Sequence, residues 1–400
     1  MSAQAAARTT RLDGVPVLEH VLSLTDLGPR LIGSPAANAA ARSLAAVLAG
    51  AGWTVRMHRQ PWPSWTDRGS TVEIANQVLP ATTGTFSPPG DIIGRVRVVE
   101  QGDSLADLDT AGRIVVLLTQ AGTSPLPAAR ALSSGAYPEL DASRDCVTAL
   151  RVSGAAALIV GSLGARHGAL TLDPDLPMPH VTVSAGTADA LSRATRARVR
   201  VRTVREPGAS LTVSALSPGA GPEDPRVVLH AHLDSAATSA GMLDNASGVG
   251  VVLAATARLS GGAAPAIEIV FSDGGMFWSS GLAGYLGERR ITSGMLGCVD
   301  VDRVGCRDTP TTVACAGRPV GGDRWEAIGG WDVPWLRPGV SDGHGGHRIF
   351  RAHAVPCVSV GCVGRPPGDD EDPWVLDPHR LERTASFVAQ LAQRMGGGPG

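Results

Sequence analysis

The spacing of apolar residues at the start of the chain predicts helices followed by one strand. Residues 17–51 have apolar side chains at helical spacing, and Gly28-Pro29-Arg30 and Gly33-Ser34-Pro35 interrupt them. Ser34 can cap a helix whose first turn carries Pro35. A strand is predicted at 54–57, and the Pro-Trp-Pro-Ser-Trp segment at 61–65 is predicted as an extended loop because proline does not fit a helix interior.

Short β-rich runs separated by Pro/Gly loops fill residues 87–205. Strands are predicted at 95–99, 114–118, 155–160 and 198–204, with a helix at 143–152. Removing this segment would leave the flanking halves continuous. The chain is therefore predicted to have two domains, one formed by 1–86 together with 206–400 and the other a small β-rich insert at 87–205.

Strands alternate with amphipathic helices in the last part of the chain. The strands are predicted at 227–229, 267–271, 297–301 and 357–360, and the helices at 248–259, 282–289 and 380–395. This alternation indicates an α/β fold with a mostly parallel sheet covered by helices on both faces. Catalytic groups on such sheets lie at the carboxyl ends of the strands.

Composition and charge narrow the classes of partner. The chain is 43% hydrophobic and 18% charged, which is globular, and its net charge is −2 with no long single-sign run. Nucleic-acid and anionic-membrane binding are therefore not expected. We find no apolar stretch of signal-peptide or membrane-spanning length, so a cytoplasmic protein is expected. The six cysteines lack paired C-x-x-C spacing and are expected to be reduced.

Imidazole and carboxylate side chains cluster at predicted strand ends. His232 and Asp234 follow one strand, Asp244 precedes a helix, and Asp302 follows another strand. An imidazole with two carboxylates suits Zn²⁺, and Asp234 could fix the tautomer of His232. The structural alternatives are ordinary ones, namely a helix cap for Asp244 and a salt bridge from Asp302 to Arg303.

Motifs along nearly the whole chain resemble those of one known family. They are G-P-R-L-I-G-S at 28–34, P-S-W-T-D-R-G at 63–69, G-R-I-V-V at 112–116, and H-L-D-S from His232 with the spacing onward to Asp244-Asn245. The chain resembles the zinc aminopeptidase and carboxypeptidase family of carboxypeptidase Q and the bacterial leucyl aminopeptidases, most of all the carboxypeptidase Q branch. The resemblance implies a zinc-exopeptidase domain, and it implies that the insert is a protease-associated domain.

The resemblance also assigns metal ligands. In that family two zinc ions share a bridging aspartate, which matches Asp244 here. One of the two metals is completed by residues that match His232 and Asp302, and Asp234 matches the acid that supports this histidine. All of these positions are retained.

The residues that serve the second metal and the proton transfer are replaced. The family has a Glu-Glu pair, a general base followed by a zinc ligand, and this pair falls on Gly275 and Met276, or on Gly274 and Gly275 in the neighbouring register. A late loop that supplies a histidine in the family matches 365–372, which contains none. Losing a general base typically slows such reactions by ~10²–10⁴-fold. The sequence therefore predicts at most one zinc ion and no glutamate base.

Other residues are candidates to replace what is missing. Asp273 and Asp300 could point at the site from strand ends, because side chains alternate faces along a strand. His344 and His347, in a glycine-rich loop, and Trp278, beside the replaced pair, are candidates for substrate binding.

Three functions remain open from the sequence. The first is a divergent enzyme that acts on a small peptide-, amide- or amino-acid-like substrate, by hydrolysis with another base or by acyl transfer or cyclisation. The second is a metallopeptidase with substitute ligands. The third is a non-catalytic homologue that binds a peptide or a protein partner. Retention of the four site residues favours an enzyme, and the sequence does not predict the oligomeric state.

Overall fold

A computed structural model gives the fold of the chain. It describes residues 12, 14–99, 109–119, 154–162, 174–259, 266–277, 279–288, 292, 294–316, 335–336, 345–362 and 373–397. The chain forms two compact units, one made of Met1–Trp62 with Gly208–Gly400 and the other of Pro63–Pro207.

The first unit contains the predicted alternation of helices and strands. Its described helices are α1 (Val17–Thr25), α2 (Pro35–Gly50), α4 (Ser247–Leu259), α5 (Ser280–Glu288), α6 (His347–Ala352) and α7 (Pro378–Met395). Short turns of π and 3₁₀ type lie at Met242–Ala246 and Pro373–Val375. The Ser34 hydroxyl accepts a hydrogen bond from the Ala37 N–H at 3.1 Å, so the predicted cap of α2 is present.

Eight strands form the sheet of this unit. They are β1 (Thr54–Pro61), β9 (Ala209–Leu216), β10 (Arg226–His232), β11 (Ala266–Ser272), β12 (Met295–Asp302), β13 (Thr311–Ala316), β14 (Trp335–Leu336) and β15 (Cys357–Cys362), in the order β1-β9-β11-β10-β12-β15-β13-β14. The four central strands, β11-β10-β12-β15, are parallel. Antiparallel pairs flank them, β11 with β9 and β15 with β13. The predicted α/β class is confirmed, with a mixed sheet that has a parallel centre.

Apolar side chains of β10 alternate between two cores. Val227, Leu229 and Ala231 pack with α1, α2, α4 and α7 on one face. On the other face, Val228 packs against residues of α5 and α6. Both faces of the central strands are therefore covered, and the polar residues at the carboxyl ends of the strands are held by a rigid apolar scaffold.

The second unit is a closed barrel. Its strands are β2 (Ser64–Ile74), β3 (Gln77–Thr83), β4 (Gly90–Val99), β5 (Ile114–Thr119), β6 (Ala157–Ser162), β7 (His180–Val183) and β8 (Arg196–Glu206), and α3 (Ala185–Ser192) packs beside them. The strand order is β2-β3-β7-β6-β5-β4-β8. The core of the barrel is apolar and includes Val72, Ile114 and Val199.

The start of the β-rich unit differs from the sequence prediction. The unit begins at Pro63, whereas the insert was predicted to begin at residue 87. The reason is that β2 and β3 are barrel strands, since β2 pairs with β8 along most of its length. The helix predicted at 143–152 lies outside the described residues.

Two further expectations concern thiols and membranes. Cys298, Cys306, Cys357 and Cys362 are buried free thiols, as expected. None of the helices in the described part of the chain is long and apolar enough to cross a membrane.

Candidate metal centre

The strand ends bring His232, Asp244 and Asp302 together. His232 Nε2 lies 3.0 Å from Asp244 Oδ1 and 3.5 Å from Asp302 Oδ1. One ligand atom from each residue lies within 4.8 Å of the others. The three side chains are 9%, 12% and 13% exposed, so the group lies at the surface of a buried layer and a ligand can reach it.

The donor set of this group fits a cation. Asp302 Oδ1 is buried and has no hydrogen-bond partner, which is costly for a carboxylate oxygen unless an ion or a water contacts it. Burial and the neighbouring charges of Asp244 and Asp300 raise the pKa of Asp302. One nitrogen and two carboxylate oxygens are ligands that Zn²⁺ prefers, and they leave a fourth position open.

Asp234 connects His232 to the loop after β11. Its Oδ1 lies 3.2 Å from His232 Nδ1 and accepts the N–H of Gly275 at 2.7 Å, and its Oδ2 accepts the N–H of Met276 at 3.1 Å. Burial alone would lower the pKa of His232, but the neighbouring carboxylates of Asp234, Asp244 and Asp302 favour the charged ring and hold that pKa well above its usual value. Asp234 therefore orients the ring so that Nε2 faces the two other acids.

Asn245 fixes the turn that carries Asp244. Its Nδ2 donates to the Val301 carbonyl at 2.9 Å, and its Oδ1 accepts the N–H groups of Gly248 at 3.0 Å and Arg303 at 3.1 Å. The peptide bond between Asp244 and Asn245 is cis. Because Val301 and Arg303 flank Asp302, one amide group ties two of the three candidate ligands together.

The glycine at position 275 is enforced by packing. A Cβ built on Gly275 would lie 2.3 Å from Cγ and 2.5 Å from Nδ1 of His232. No real side chain tolerates such contacts. The loop therefore has no room for a side chain at position 275, where one register of the resemblance predicts the replaced base, and the neighbouring Met276 supplies no charged ligand.

Asp273 does not join the three-residue group. It is fully buried, and its carboxylate accepts the N–H groups of Gly33 at 3.2 Å and Gly274 at 3.0 Å. Burial and the charge of Asp234 raise its pKa to about 7. These contacts hold the loop after β11 against the start of α2.

Asp300 has partners of its own in a buried layer beneath the group. Its Oδ1 lies 2.6 Å from His230 Nδ1, its Oδ2 accepts the N–H of His347 at 2.8 Å, and His230 Nε2 lies 2.8 Å from the Ser272 hydroxyl. Burial would raise the pKa of Asp300, but the two histidines hold it well below its usual range. Sequence reasoning missed His230 and Ser272, although the H-A-H pattern at 230–232 places both imidazoles on one face of β10.

The predicted substrate contacts are only partly described. His347 is buried, and its Nδ1 lies 3.4 Å from Asp300 Oδ2, so it faces the layer beneath the group. His344, Trp278 and the loop at 365–372 lie outside the described residues.

Arg30 anchors the first segment of the resemblance. Its guanidinium is fully buried and donates to the carbonyl groups of Leu233 at 2.9 Å and Ala240 at 2.6 Å, and its own N–H donates to the Ser235 hydroxyl at 2.8 Å. The segment at 28–34 therefore braces the chain on both sides of Asp234.

Comparison with known proteins identifies a family pattern in one segment of the chain and solved structures with the same fold. Residues 212–279 match the pattern of Peptidase family M28. A search of curated proteins finds no match.

Among solved structures, an aminopeptidase from Aneurinibacillus sp. strain AM-1 has a TM-score of 0.72 at 19% identity, covering 96% of this chain and 94% of that one. The zinc aminopeptidase BSAP from Bacillus subtilis has a TM-score of 0.71 at 17% sequence identity, and the match covers 93% of this chain and 92% of that one. A peptidase M28 precursor from Shewanella amazonensis SB2B has a TM-score of 0.74 at 18% sequence identity, and the match covers 98% of this chain and 95% of that one.

The resemblance to zinc exopeptidases is therefore confirmed at the level of fold. The matched segment runs from β9 through β10 and the Asp244 turn to the loop after β11, and it includes His232 and Asp244. The chain has the fold of the zinc aminopeptidases and carries the peptidase family M28 pattern across the segment that holds two of the three candidate ligands, His232 and Asp244.

Proposed function

We propose that this chain is a divergent peptidase-like enzyme with a single zinc ion held by His232, Asp244 and Asp302. Its substrate is a small peptide-, amide- or amino-acid-like molecule. The observation that carries the proposal is the combination of three converging donors with a loop at Gly275 that excludes a side chain. The first supports binding of one metal, and the second argues against the glutamate-dependent reaction of the family.

The chain's own residues have distinct parts in this proposal. Bound zinc would act as a Lewis acid that polarises a carbonyl oxygen. Asp234 holds the His232 ring, and Asn245 fixes the turn of Asp244 relative to Asp302. Asp302 Oδ1 has no hydrogen bond to give up, so binding an ion there would break no contact within the protein.

The absence of a carboxylate at Gly275 limits the reaction. Activation of water needs a base within hydrogen-bond reach of that water. The carboxylates of Asp273 and Asp300 are each held by other groups. Reactions in which the attacking group is an uncharged amine of the substrate, such as acyl transfer or cyclisation onto nitrogen, place a smaller demand on a protein base, because the amine attacks before it loses its proton. The proposal favours them over rapid hydrolysis.

Metal titration of the purified full chain tests the proposal. We expect one Zn²⁺ or Co²⁺ per chain, and Asp302→Asn should weaken binding by at least about 10-fold because it removes a charged ligand. Asp273→Asn is the matched control, since Asp273 is buried nearby but makes its contacts elsewhere, and it should bind the metal as the wild type does.

The other two functions predict different results. Two metals per chain with fast hydrolysis of aminoacyl anilides would indicate a metallopeptidase with substitute ligands. No metal binding would indicate a non-catalytic homologue. Either result would contradict the proposal.

A further inference from the structure

A buried hydrogen-bonded pair lies directly beneath the candidate metal centre. His230 and Asp300 are opposite each other in the register of β10 and β12, and both are 1% exposed. His230 Nδ1 lies 2.6 Å from Asp300 Oδ1. A charge-assisted hydrogen bond of this length is among the strong ones in proteins, because both partners are shielded from water.

His230 and Asp300 each lie two residues before a candidate ligand on the same strand. Side chains two residues apart on a strand share a face, so His232 follows His230 and Asp302 follows Asp300 on the same side of the sheet. The separation of β10 and β12 at this layer therefore sets the distance between His232 Nε2 and Asp302 Oδ1, which is 3.5 Å.

Every polar atom of the pair has a partner. An imidazole protonated at Nδ1 donates to Asp300, and its Nε2 accepts the Ser272 hydroxyl at 2.8 Å. The ring of Phe350 packs edge-on against His230 at 5.5 Å, and a Cβ on Gly346 would lie 2.5 Å from its Cε1. The surroundings leave the His230 ring a single orientation.

We propose that the His230–Asp300 hydrogen bond is a positioning clamp, which holds β10 and β12 at the spacing that lets His232 and Asp302 share one metal ion. The inference rests on the proposed function, because it concerns the same site. It assigns His230 and Asp300 a role that does not require either to contact the metal or the substrate.

Two polar replacements of His230 separate the clamp from general packing. In His230→Asn, the side-chain amide can occupy the place of Nδ1 and still donate to Asp300, but the hydrogen bond with the Ser272 hydroxyl is lost. In His230→Gln, the amide reaches the place of Nε2 near Ser272 and loses the short bond to Asp300. The two variants are similar in polarity, and they differ in which hydrogen bond survives.

Co²⁺ affinity of the full chain is the readout, with the free energy of unfolding measured in parallel. We expect His230→Asn to bind Co²⁺ within about 3-fold of wild type, and His230→Gln to bind it about 10–100-fold more weakly, the range typical for residues that orient metal ligands. Ser272→Ala should leave affinity unchanged. Val228→Ala, a packing change on the same face of β10, should lower stability without lowering affinity.

Each outcome has a distinct meaning. Equal Co²⁺ affinity in the wild type, His230→Asn and His230→Gln overturns the proposed clamp and leaves the proposed metal site standing. Equal weakening of Co²⁺ binding in both variants also overturns the clamp. A wild-type chain that binds no Co²⁺ overturns the proposed function, and it also overturns the clamp, which depends on that function. If His230→Gln does not fold, Asp300→Asn keeps the shape but weakens the charge-assisted bond. An unchanged affinity in that variant would also overturn the clamp.

Discussion

At position 275 the packing of His232 decides which residue the loop can hold. The ring lies so close that even a methyl group would overlap Cγ and Nδ1. The loop backbone is held in place by Asp234, which accepts the N–H groups of Gly275 and Met276. A larger residue at this position therefore requires the His232 ring to move.

Gly275→Ala tests this packing. We expect it to destabilise the fold by about 1–3 kcal/mol, as for other overpacked buried sites, and to weaken Co²⁺ binding because the His232 ring must move. Gly287→Ala is the control, since a Cβ there meets no atom within 4 Å and alanine favours the helix α5. Equal stability of the two variants, measured by urea unfolding, would contradict this account of position 275.

His20 illustrates a buried polar residue outside the site. It lies in α1, is 1% exposed, and neither ring nitrogen has a hydrogen-bond partner. Burial lowers its pKa from 6.5 to about 4, although Glu382 acts in the opposite direction. The folded state therefore holds His20 neutral at a pH where the unfolded chain is already protonated.

The free energy of unfolding of the wild type should therefore fall on acidification, and His20→Leu should reduce that fall. A histidine whose pKa is depressed on folding imposes no protonation penalty above pH 6.5, and the fold loses stability as the pH falls from 6.5 toward 4, by roughly 3 kcal/mol in total. His20→Leu should also remove an unpaired buried group and stabilise the fold by about 1 kcal/mol at neutral pH. His379→Leu, at an exposed position of α7, is the control. The measurement is the urea midpoint from pH 7 to 4, and parallel curves for wild type and His20→Leu would rule the explanation out.

At the scale of elements, the geometry of the candidate metal centre depends on how the turn that carries Asp244 is attached to the strand that carries Asp302. Asn245 joins the turn at Met242–Ala246 to both sides of Asp302 through two hydrogen bonds, with Val301 and Arg303, and a third ties it to Gly248 in α4. A single amide thereby sets the relative position of two candidate ligands.

Asn245→Ala should therefore weaken both the fold and the metal site. The loss of three buried hydrogen bonds is expected to cost about 2–4 kcal/mol of unfolding free energy. Co²⁺ affinity should fall by about 10-fold or more, since this residue orients a ligand. Ser34→Ala is a matched control, because it removes the cap of α2 at a cost of about 1 kcal/mol and should leave the affinity unchanged. Affinity that survives Asn245→Ala would show that Asp244 is positioned by other contacts.

The elements that carry the site were predictable because they are strongly patterned. The parallel strands β10, β11 and β12 are apolar runs between helices, and their ends were located within a few residues. The strands β9 and β13, which pair antiparallel with the parallel centre of the sheet, were not predicted, because they stand outside the alternation of strand and helix that marks the parallel strands. The barrel strands β2 and β3 were missed because the boundary was placed at a change in composition, whereas strand pairing defines the unit.

The site itself was less predictable than the fold. His232, Asp244 and Asp302 could be named as candidate ligands because their residue types suit a metal and because the resemblance to the zinc exopeptidases matches them to ligands of that family. The partners of Asp300 and Asp273 could not be inferred, because strand alternation gives the face on which a side chain lies and says nothing of what meets it there. The exclusion of side chains at Gly275 depends on a ring orientation that only coordinates reveal.

At the scale of the whole molecule, a zinc-exopeptidase fold brings together a group of three side chains that could hold a metal ion, beside a glycine that packs against one of them. The sheet, the Arg30 brace and the Asn245 turn all act on the same small region, so the molecule keeps a rigid frame around the site. Such a frame is expected to bind one ion in a fixed geometry. The identity of the reaction then depends on which group of the substrate attacks.

Anomalous X-ray scattering at the zinc edge, from crystals of the full chain grown with Zn²⁺, tests the central claim most directly. We predict one strong peak in the site, within about 2.0–2.2 Å of His232 Nε2 and of one carboxylate oxygen each from Asp244 and Asp302. Two neighbouring peaks sharing Asp244, or a single peak away from His232, would contradict the account.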